Sequence, residues 1–552
     1  MAESDSPETR GADAAGNRPL VDGLLLLGFC GFLFFFGLAY FGLLGADEPR
    51  YAQVAREMLA RHDWITPTLG GVSWLEKPVF YYWETILAYH MFGVSDWAAR
   101  LPSAMDATLM VLAVYFFLRR FRPGFQLDGA LMTASATGII GFARAASMDM
   151  PLAAAFTIAM LAWYAWLETG RRLHLLLFYI CLGLGTLAKG PIAPFLAAVI
   201  IALFVWGKGE WRLLTRTFWV PGVAVFCLVT LPWYIAVQLK NPEFFRIFIL
   251  QHNLQRFGSD VYHHTQPFWY YVPVAIIGLL PWLLFIGSAA VETARAWWTE
   301  KREMFRSEDG LSVFLLIWLI VPLLFFSASQ SKLPGYILPA LPAGALLLAE
   351  YLRRHMDGER TSLAVCAAHS IVAAAPIVPA LMIQYILRQH RFPWGRGLAI
   401  SLAFAVVIAT GITLTLRMRS GLRLLRFVTL VPVVLSIAIV LRVGSPVLDA
   451  DLSARQLANE ITRMENGTLP LAVAHVSREV EYGLHFYRNQ TIAHYGLGEI
   501  PATEHIVVAP QGSQARLAAK FPDRRVSYLG TYAPQGLDYY WVSAPGMMHR
   551  MH

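Results

Sequence analysis

A polytopic α-helical membrane fold follows from three features of the sequence. Of its 552 residues, 56% are hydrophobic and only 15% are charged, whereas a soluble chain carries about a quarter charged residues. Mean hydropathy is +0.48. The apolar residues recur in stretches of bilayer-spanning length that are almost free of charge. These features exclude a soluble enzyme, a coiled coil and a disordered chain. In a soluble protein the net charge of +8 and the pI of about 9.3 would raise nucleic acid as a partner. Here the arginines lie in short loops between apolar runs, which is the signature of membrane orientation, and nucleic acid is not expected. Cys30, Cys181, Cys227 and Cys366 each sit inside an apolar run without disulfide or metal spacing and read as packing residues.

Residues 1–20 are polar and expected to be a disordered cytoplasmic segment. The runs that follow are Val21–Leu44, Leu101–Leu118, Leu127–Ala143, Pro151–Leu167, Leu175–Ala188, Pro191–Trp206 and Phe218–Val237. They continue with Trp269–Ala290, Leu311–Ser327, Tyr336–Leu352, Leu363–Leu387, Leu398–Leu416 and Phe427–Val443. The stretch Val79–Phe92 is short, aromatic and carries Glu84 and His90, which suits an interfacial helix. If it does not cross, the loops around Arg119–Arg122, Arg171–Arg172, Lys208–Arg216, Arg295–Arg306, Arg353–Arg354 and Arg417–Arg426 all fall inside. This predicts thirteen spans over residues 21–443, an inner N-terminus and an outer C-terminus. The largest outer loops are then 45–100 and 239–268.

Beyond Val443 the pattern changes. Leu452–Met464 reads as an amphipathic helix, Leu471–Val476 as a strand, Glu479–Tyr487 as a helix and Ile506–Ala509 as a strand. Gln514–Phe521 reads as a helix, and Val526–Tyr532 and Tyr539–Ser543 as strands. Residues 444–552 are thus expected to be a small outer α/β domain without a catalytic motif.

The polar residues that interrupt the apolar pattern gather on the outer side. They are Asp47-Glu48-Pro49-Arg50-Tyr51, Glu76-Lys77-Pro78, Asp149, Lys189-Gly190-Pro191, the 239–268 loop with Arg256, His263 and His264, and Ser331-Lys332-Leu333-Pro334-Gly335-Tyr336. Each has a plain structural reading. Asp47 could be a solvated helix boundary, Asp149 a helix cap before Pro151, the lysines interfacial anchors, and Phe268–Tyr271 an aromatic belt. Their coincidence at the mouths of different spans on one face favours function, since charge at membrane depth is costly. Lys77, Lys189, Lys332, Arg50 and Arg256 supply enough cations to hold a phosphate. The carboxylates Asp47 and Asp149 suit sugar transfer, as orienting groups, as stabilisers of an oxocarbenium-like centre or as a base. Glu76 with His264 or His263 offers carboxylate and imidazole to a divalent metal such as zinc, without the spacing of a strong zinc site.

These motifs resemble those of the bacterial aminoarabinose lipid A transferases, within the polyprenyl-phosphate-dependent GT-C glycosyltransferases. The resemblance covers roughly residues 21–355. It rests on Asp47–Tyr51 with Arg56-Glu57-Met58-Leu59, on Glu76-Lys77-Pro78 with Tyr82-Trp83, and on Lys189-Gly190. It also rests on His252 with Gln255-Arg256-Phe257, on Pro267–Pro273, and on Lys332-Leu333-Pro334 with Tyr336-Ile337-Leu338. It implies a GT-C-like fold in which Asp47 and Asp149 are the two acidic residues and Lys77 binds phosphate. Glu48, Tyr51, Tyr82 and Tyr336 are then expected beside the substrate. The sequence departs from the family pattern at Met150, which separates Asp149 from Pro151. The implied reaction moves 4-amino-4-deoxy-L-arabinose from undecaprenyl phosphate to lipid A phosphates at the outer face of the bacterial inner membrane. Undecaprenyl-phosphate-linked aminosugar, lipid A and membrane lipids would be the partners. The rivals are a related enzyme acting on protein hydroxyls or another lipid, and a lipid or polysaccharide transporter. A transporter is disfavoured because the polar groups keep to one side of the midplane.

Overall fold

The computed structural model describes residues 19–255, 266–300, 310–355, 362–389, 394–418, 421–465 and 467–545. The polar N-terminal segment therefore lies almost wholly outside the described residues, as do Arg256, His263 and His264.

All thirteen apolar runs contain helix, but they are not thirteen uniform spans. Among the described residues, nine helices are long and apolar enough to cross a membrane, and a bent pair makes a tenth. The Val21–Leu44 run is helical only over Pro19–Phe35, and Ile192–Lys208 is likewise shorter than the spanning helices. Leu127–Ala143 breaks at Ala136 into helices Gln126–Ser135 and Thr137–Ala143. Trp269–Ala290 breaks between Tyr271–Gly278 and Leu283–Glu300, with a bend of 117°. The two breaks meet: the Thr137 amide donates to the Leu280 carbonyl at 2.9 Å, and the Trp282 indole donates to Ser135 Oγ at 3.0 Å. Backbone groups freed by one break are thus taken up at the other, as an apolar surrounding demands. Val79–Phe92 is a 13-residue helix, Phe80–Phe92, too short to span.

The centre of the bundle is built on small residues and aromatic rings. Helix Asp149–Thr169 opens with an alanine-rich stretch, and Gly185 of helix Arg172–Lys189 lies so close to Ala193 that a Cβ there would sit 3.0 Å from the alanine's own. Such residues let helices approach closely in a membrane. Trp163 stacks on Phe314 at 5.4 Å, Phe156 meets Trp318 edge-on at 6.0 Å, and the Trp318 indole donates to the Pro339 carbonyl at 2.9 Å. These contacts fix the register between helix Asp149–Thr169, helix Gly310–Ala328 and the 3-10 turn Pro334–Ala340. They bring Asp149 beside Gly335.

In the first loop, β1 (Thr68–Leu69) and β2 (Val72–Ser73) form a small hairpin. The C-terminal region holds β3 (Leu471–Val473), β4 (Ala493–His494), β5 (His505–Pro510), β6 (Val526–Tyr532) and β7 (Leu537–Val542) in the order β4-β3-β5-β7-β6. β3 runs parallel to β4 and β5, while β7 is antiparallel to β5 and β6. Alternation divides the sheet between two cores. Leu471, Val473, Ile506 and Val508 face helices Arg455–Met464 and Arg478–Arg488, and Ala472, Val507 and Ala509 face helix Gln514–Lys520. In the C-terminal region the sequence pattern placed each of these strands and helices except the two-residue β4; it did not place the β1–β2 hairpin.

Candidate active site

The first span ends early, and the chain from Phe36 to Ala46 is irregular. Arg100 makes this possible. Its side chain is fully buried and donates to the carbonyls of Leu38 and Phe41, both at 2.9 Å, and of Gly42 at 2.8 Å. Its remaining partner is Glu48, whose Oε2 it meets at 2.6 Å. Expected beside substrate, Glu48 is instead buried and committed to Arg100, because only a carboxylate can neutralise that guanidinium at this depth.

Helix Asp47–Ala60 starts directly after this segment, with Asp47 and Glu48 in its first turn, where the helix dipole favours negative charge. Asp47 faces away from the core, its side chain 57% exposed, and pairs with Arg50. The Arg50 guanidinium lies over three aromatic rings: Tyr51 at 5.1 Å, Trp74 at 5.2 Å and Tyr482 at 5.7 Å. Tyr51 and Tyr82 are buried with their rings 6.4 Å apart. Burial pushes the Tyr51 phenol upward, and Asp47 and Asp149 add to that shift while Arg50 opposes it, so this hydroxyl lies in the field of both carboxylates. Among the described residues, buried Arg50 Nε, Trp74 Nε1 and Tyr82 Oη have no hydrogen-bond partner.

Asp149 is the first residue of its helix but does not cap it; the cap position is Met148, without a side-chain bond. Its carboxylate is held on two sides. Lys189 Nζ pairs with Oδ1, and Ser147 Oγ donates to Oδ2 at 3.1 Å. On another side is the backbone of Gly335, where a Cβ would come 2.5 Å from the Asp149 carboxyl carbon. The Lys189 ammonium also lies 4.5 Å over the Tyr336 ring. Tyr271 donates to the Leu333 carbonyl at 3.1 Å, fastening the same turn.

One apolar cluster carries the neighbours of these groups. Tyr51, Leu75, Tyr82, Met148 and Leu187 pack together, so the flanks of Asp47–Arg50, Glu76–Lys77, Asp149 and Lys189 share one support. Lys77 is half-buried in the loop beside Trp74. Lys332, expected on a phosphate, is buried and donates to the Ser329 carbonyl, closing its own turn. The structure thus gathers Asp47, Arg50, Tyr51, Tyr82, Asp149, Lys189 and Tyr336, and diverts Glu48 and Lys332. Glu76 acts on the charge of Arg50, and among the described residues no group of three or more His, Cys, Asp or Glu side chains is placed to hold a metal. Sequence reasoning missed Arg100, Ser147, Trp74 and Gly335. An arginine opening an apolar run was the available signal for Arg100. The glycine preceding Tyr336 looked like turn chemistry alone.

This architecture, helices with a lateral polar site at their ends and a small sheet domain, is the GT-C fold. Among solved structures it is similar to ArnT from Cupriavidus metallidurans bound to undecaprenyl phosphate, with a TM-score of 0.74 at 22% identity over 95% of this chain and 98% of that one. The dolichyl-phosphate-mannose-protein mannosyltransferase family model matches residues 23–248. In sequence the chain is 35% identical over 336 residues to the undecaprenyl phosphate-alpha-4-amino-4-deoxy-L-arabinose arabinosyl transferase of Pseudomonas aeruginosa, covering 60% of this chain and 59% of that one. It is 33% identical over 348 residues to a Pseudomonas fluorescens protein of the same name, covering 62% and 61%. The matched region thus spans about three fifths of these relatives' length. The resemblance read in the motifs is carried by relatives of that name, and the apolar helices make the chain a multi-pass membrane protein.

Proposed function

We propose that the protein is a glycosyltransferase that moves 4-amino-4-deoxy-L-arabinose from undecaprenyl phosphate to phosphate groups of lipid A. The observation that carries this reading is the convergence of Asp47–Arg50 and Asp149–Lys189 on the buried tyrosines Tyr51 and Tyr82. The named relatives supply the donor and sugar. The active site and the C-terminal domain lie on the periplasmic face of the bacterial inner membrane, and the product gives resistance to cationic peptides such as polymyxin. This orientation is supported by the opposite end of the bundle, where Arg122 and Arg353 converge on Glu350 at 3.0 and 3.4 Å and Arg354 meets Glu292 at 3.1 Å. Basic residues favour the cytoplasmic side.

The chemistry follows from charge. An anionic lipid A phosphate oxygen attacks the anomeric carbon, the bond to the donor phosphate breaks, and its electron pair leaves with undecaprenyl phosphate. No proton has to move, so no strong base is required. Lys77 and Arg50 stabilise the charge growing on the leaving phosphate. The unpartnered donors Arg50 Nε, Trp74 Nε1 and Tyr82 Oη suit an anion. Asp149, paired with Lys189 and bonded by Ser147, orients the substrate. Asp47, the exposed carboxylate, faces the sugar and its developing positive charge. Any metal held through Glu76 and His264 would assist the phosphate; no step above needs it.

The match to the mannosyltransferase family model favours a second reading, a hydroxyl acceptor, for which Asp47 would serve as base. Mass spectrometry of lipid A from cells with and without the protein separates the two. Aminoarabinose on lipid A only in expressing cells supports the first reading. Unchanged lipid A with newly glycosylated protein replaces it by the second.

A further inference from the structure

The C-terminal domain reaches into the site. Of the three rings around the Arg50 guanidinium, Tyr51 and Trp74 come from the first loop, but Tyr482 comes from helix Arg478–Arg488. That helix and its neighbours are bonded to the membrane portion at several points. Arg56 donates to the Phe486 carbonyl at 2.7 Å and lies over its ring. Tyr487 donates to Asp96 at 2.7 Å and accepts from the Leu43 amide at 2.6 Å. Arg455 meets Asp96 at 2.8 Å, and Gly42 donates to Asp449 at 2.7 Å. Gly42 is packed closely here: a Cβ there would push on the hydroxyls of Ser453 and Tyr487.

We infer that Tyr482 is a positioning residue for Arg50, so that the C-terminal domain supplies one wall of the donor-phosphate site. This rests on the donor reading above. A guanidinium stacked on aromatic faces keeps its in-plane N–H groups available to an anion while losing the freedom to swing. Without the third ring, the Arg50 guanidinium keeps Tyr51 and Trp74 as its only aromatic supports among the described residues. The ring, not the hydroxyl, does the holding.

The test is equilibrium binding of undecaprenyl phosphate to the full-length protein in detergent, with donor kinetics alongside. Tyr482→Phe should bind within about twofold of wild type, and Tyr482→Leu about two- to tenfold more weakly, the range of a cation–π contact. The donor KM should rise and kcat should fall with it, because Arg50 acts on charge that grows in the transition state. In an Arg50→Gln background, Tyr482→Leu should have no further effect. A domain that merely adds stability would lower binding equally in both backgrounds, so that cycle also decides the matter if Tyr482→Leu melts early. Wild-type affinity in Tyr482→Leu, or equal loss in Tyr482→Phe, overturns the inference and leaves the donor reading standing. Failure of the wild type to bind undecaprenyl phosphate overturns both.

Discussion

Asp47 and Glu48 are adjacent in the chain, and both pair with an arginine, yet the two pairs belong to different economies of charge. Glu48 and Arg100 are buried together, and Arg100 spends its other donors on three carbonyls of the irregular segment before the helix. Asp47 and Arg50 sit at the surface of the site, with Asp47 more than half exposed and Arg50 stacked among aromatic rings. A helix start allows this because consecutive side chains point about 100° apart. The contrast teaches that an acidic motif can divide its labour: one residue secures the backbone that presents the other.

The largest effect should come from removing charge on the open side. Asp47→Asn is expected to lower transfer by about a hundred- to a thousandfold, in the range of losing one transition-state electrostatic contact. The thermal midpoint in detergent should stay put. A normal rate in Asp47→Asn would move that residue out of the site. On the closed side, Arg100→Ala should cost about 3–5 kcal/mol of stability by stranding Glu48. The readout is loss of folded protein at a lower temperature, and an unaltered melting curve would refute the structural assignment of this pair. Gly335→Ala sharpens the comparison at the second carboxylate. The added methyl has to displace Asp149, so transfer should drop by about tenfold or more. Gly28→Ala, where a Cβ meets nothing within 4 Å, should be indistinguishable from wild type. Full activity in Gly335→Ala would show that Asp149 tolerates being moved. Lys77→Arg should give a smaller change than Gly335→Ala, a partial loss in donor affinity with charge kept and geometry altered, whereas Lys77→Ala should lose activity while remaining folded.

Much of this arrangement is legible in the sequence because apolar periodicity and loop charge are strong signals. The helical nature of every apolar run and the C-terminal elements from Arg455 to Val542, apart from β4, follow from them. Asp47, Arg50, Tyr51, Tyr82, Asp149, Lys189 and Tyr336 could be picked out because polar residues at the ends of apolar runs are conspicuous. What could not be read is where each side chain turns. Glu48 and Lys332 look as available as their neighbours, and only the folded backbone shows carbonyls at Leu38–Gly42 and Ser329 waiting for a donor. The breaks inside the apolar runs were hidden for a related reason. Hydropathy averages over composition, so the small residues Thr133–Gly138 and the Leu280-Pro281 step pass inside otherwise apolar windows while the backbone there leaves the helical path.

Those two interruptions have a consequence for how the fold can change over time. The amide at Thr137 is satisfied only by the carbonyl of Leu280, and Gly138 and Gly278 approach so closely that a Cβ on the former would lie 3.2 Å from the Cα of the latter. Straightening either segment would orphan polar backbone of the other in an apolar setting. The two breaks therefore stand or fall together: a variant that straightened one helix would leave an unpaired backbone carbonyl or amide on the other.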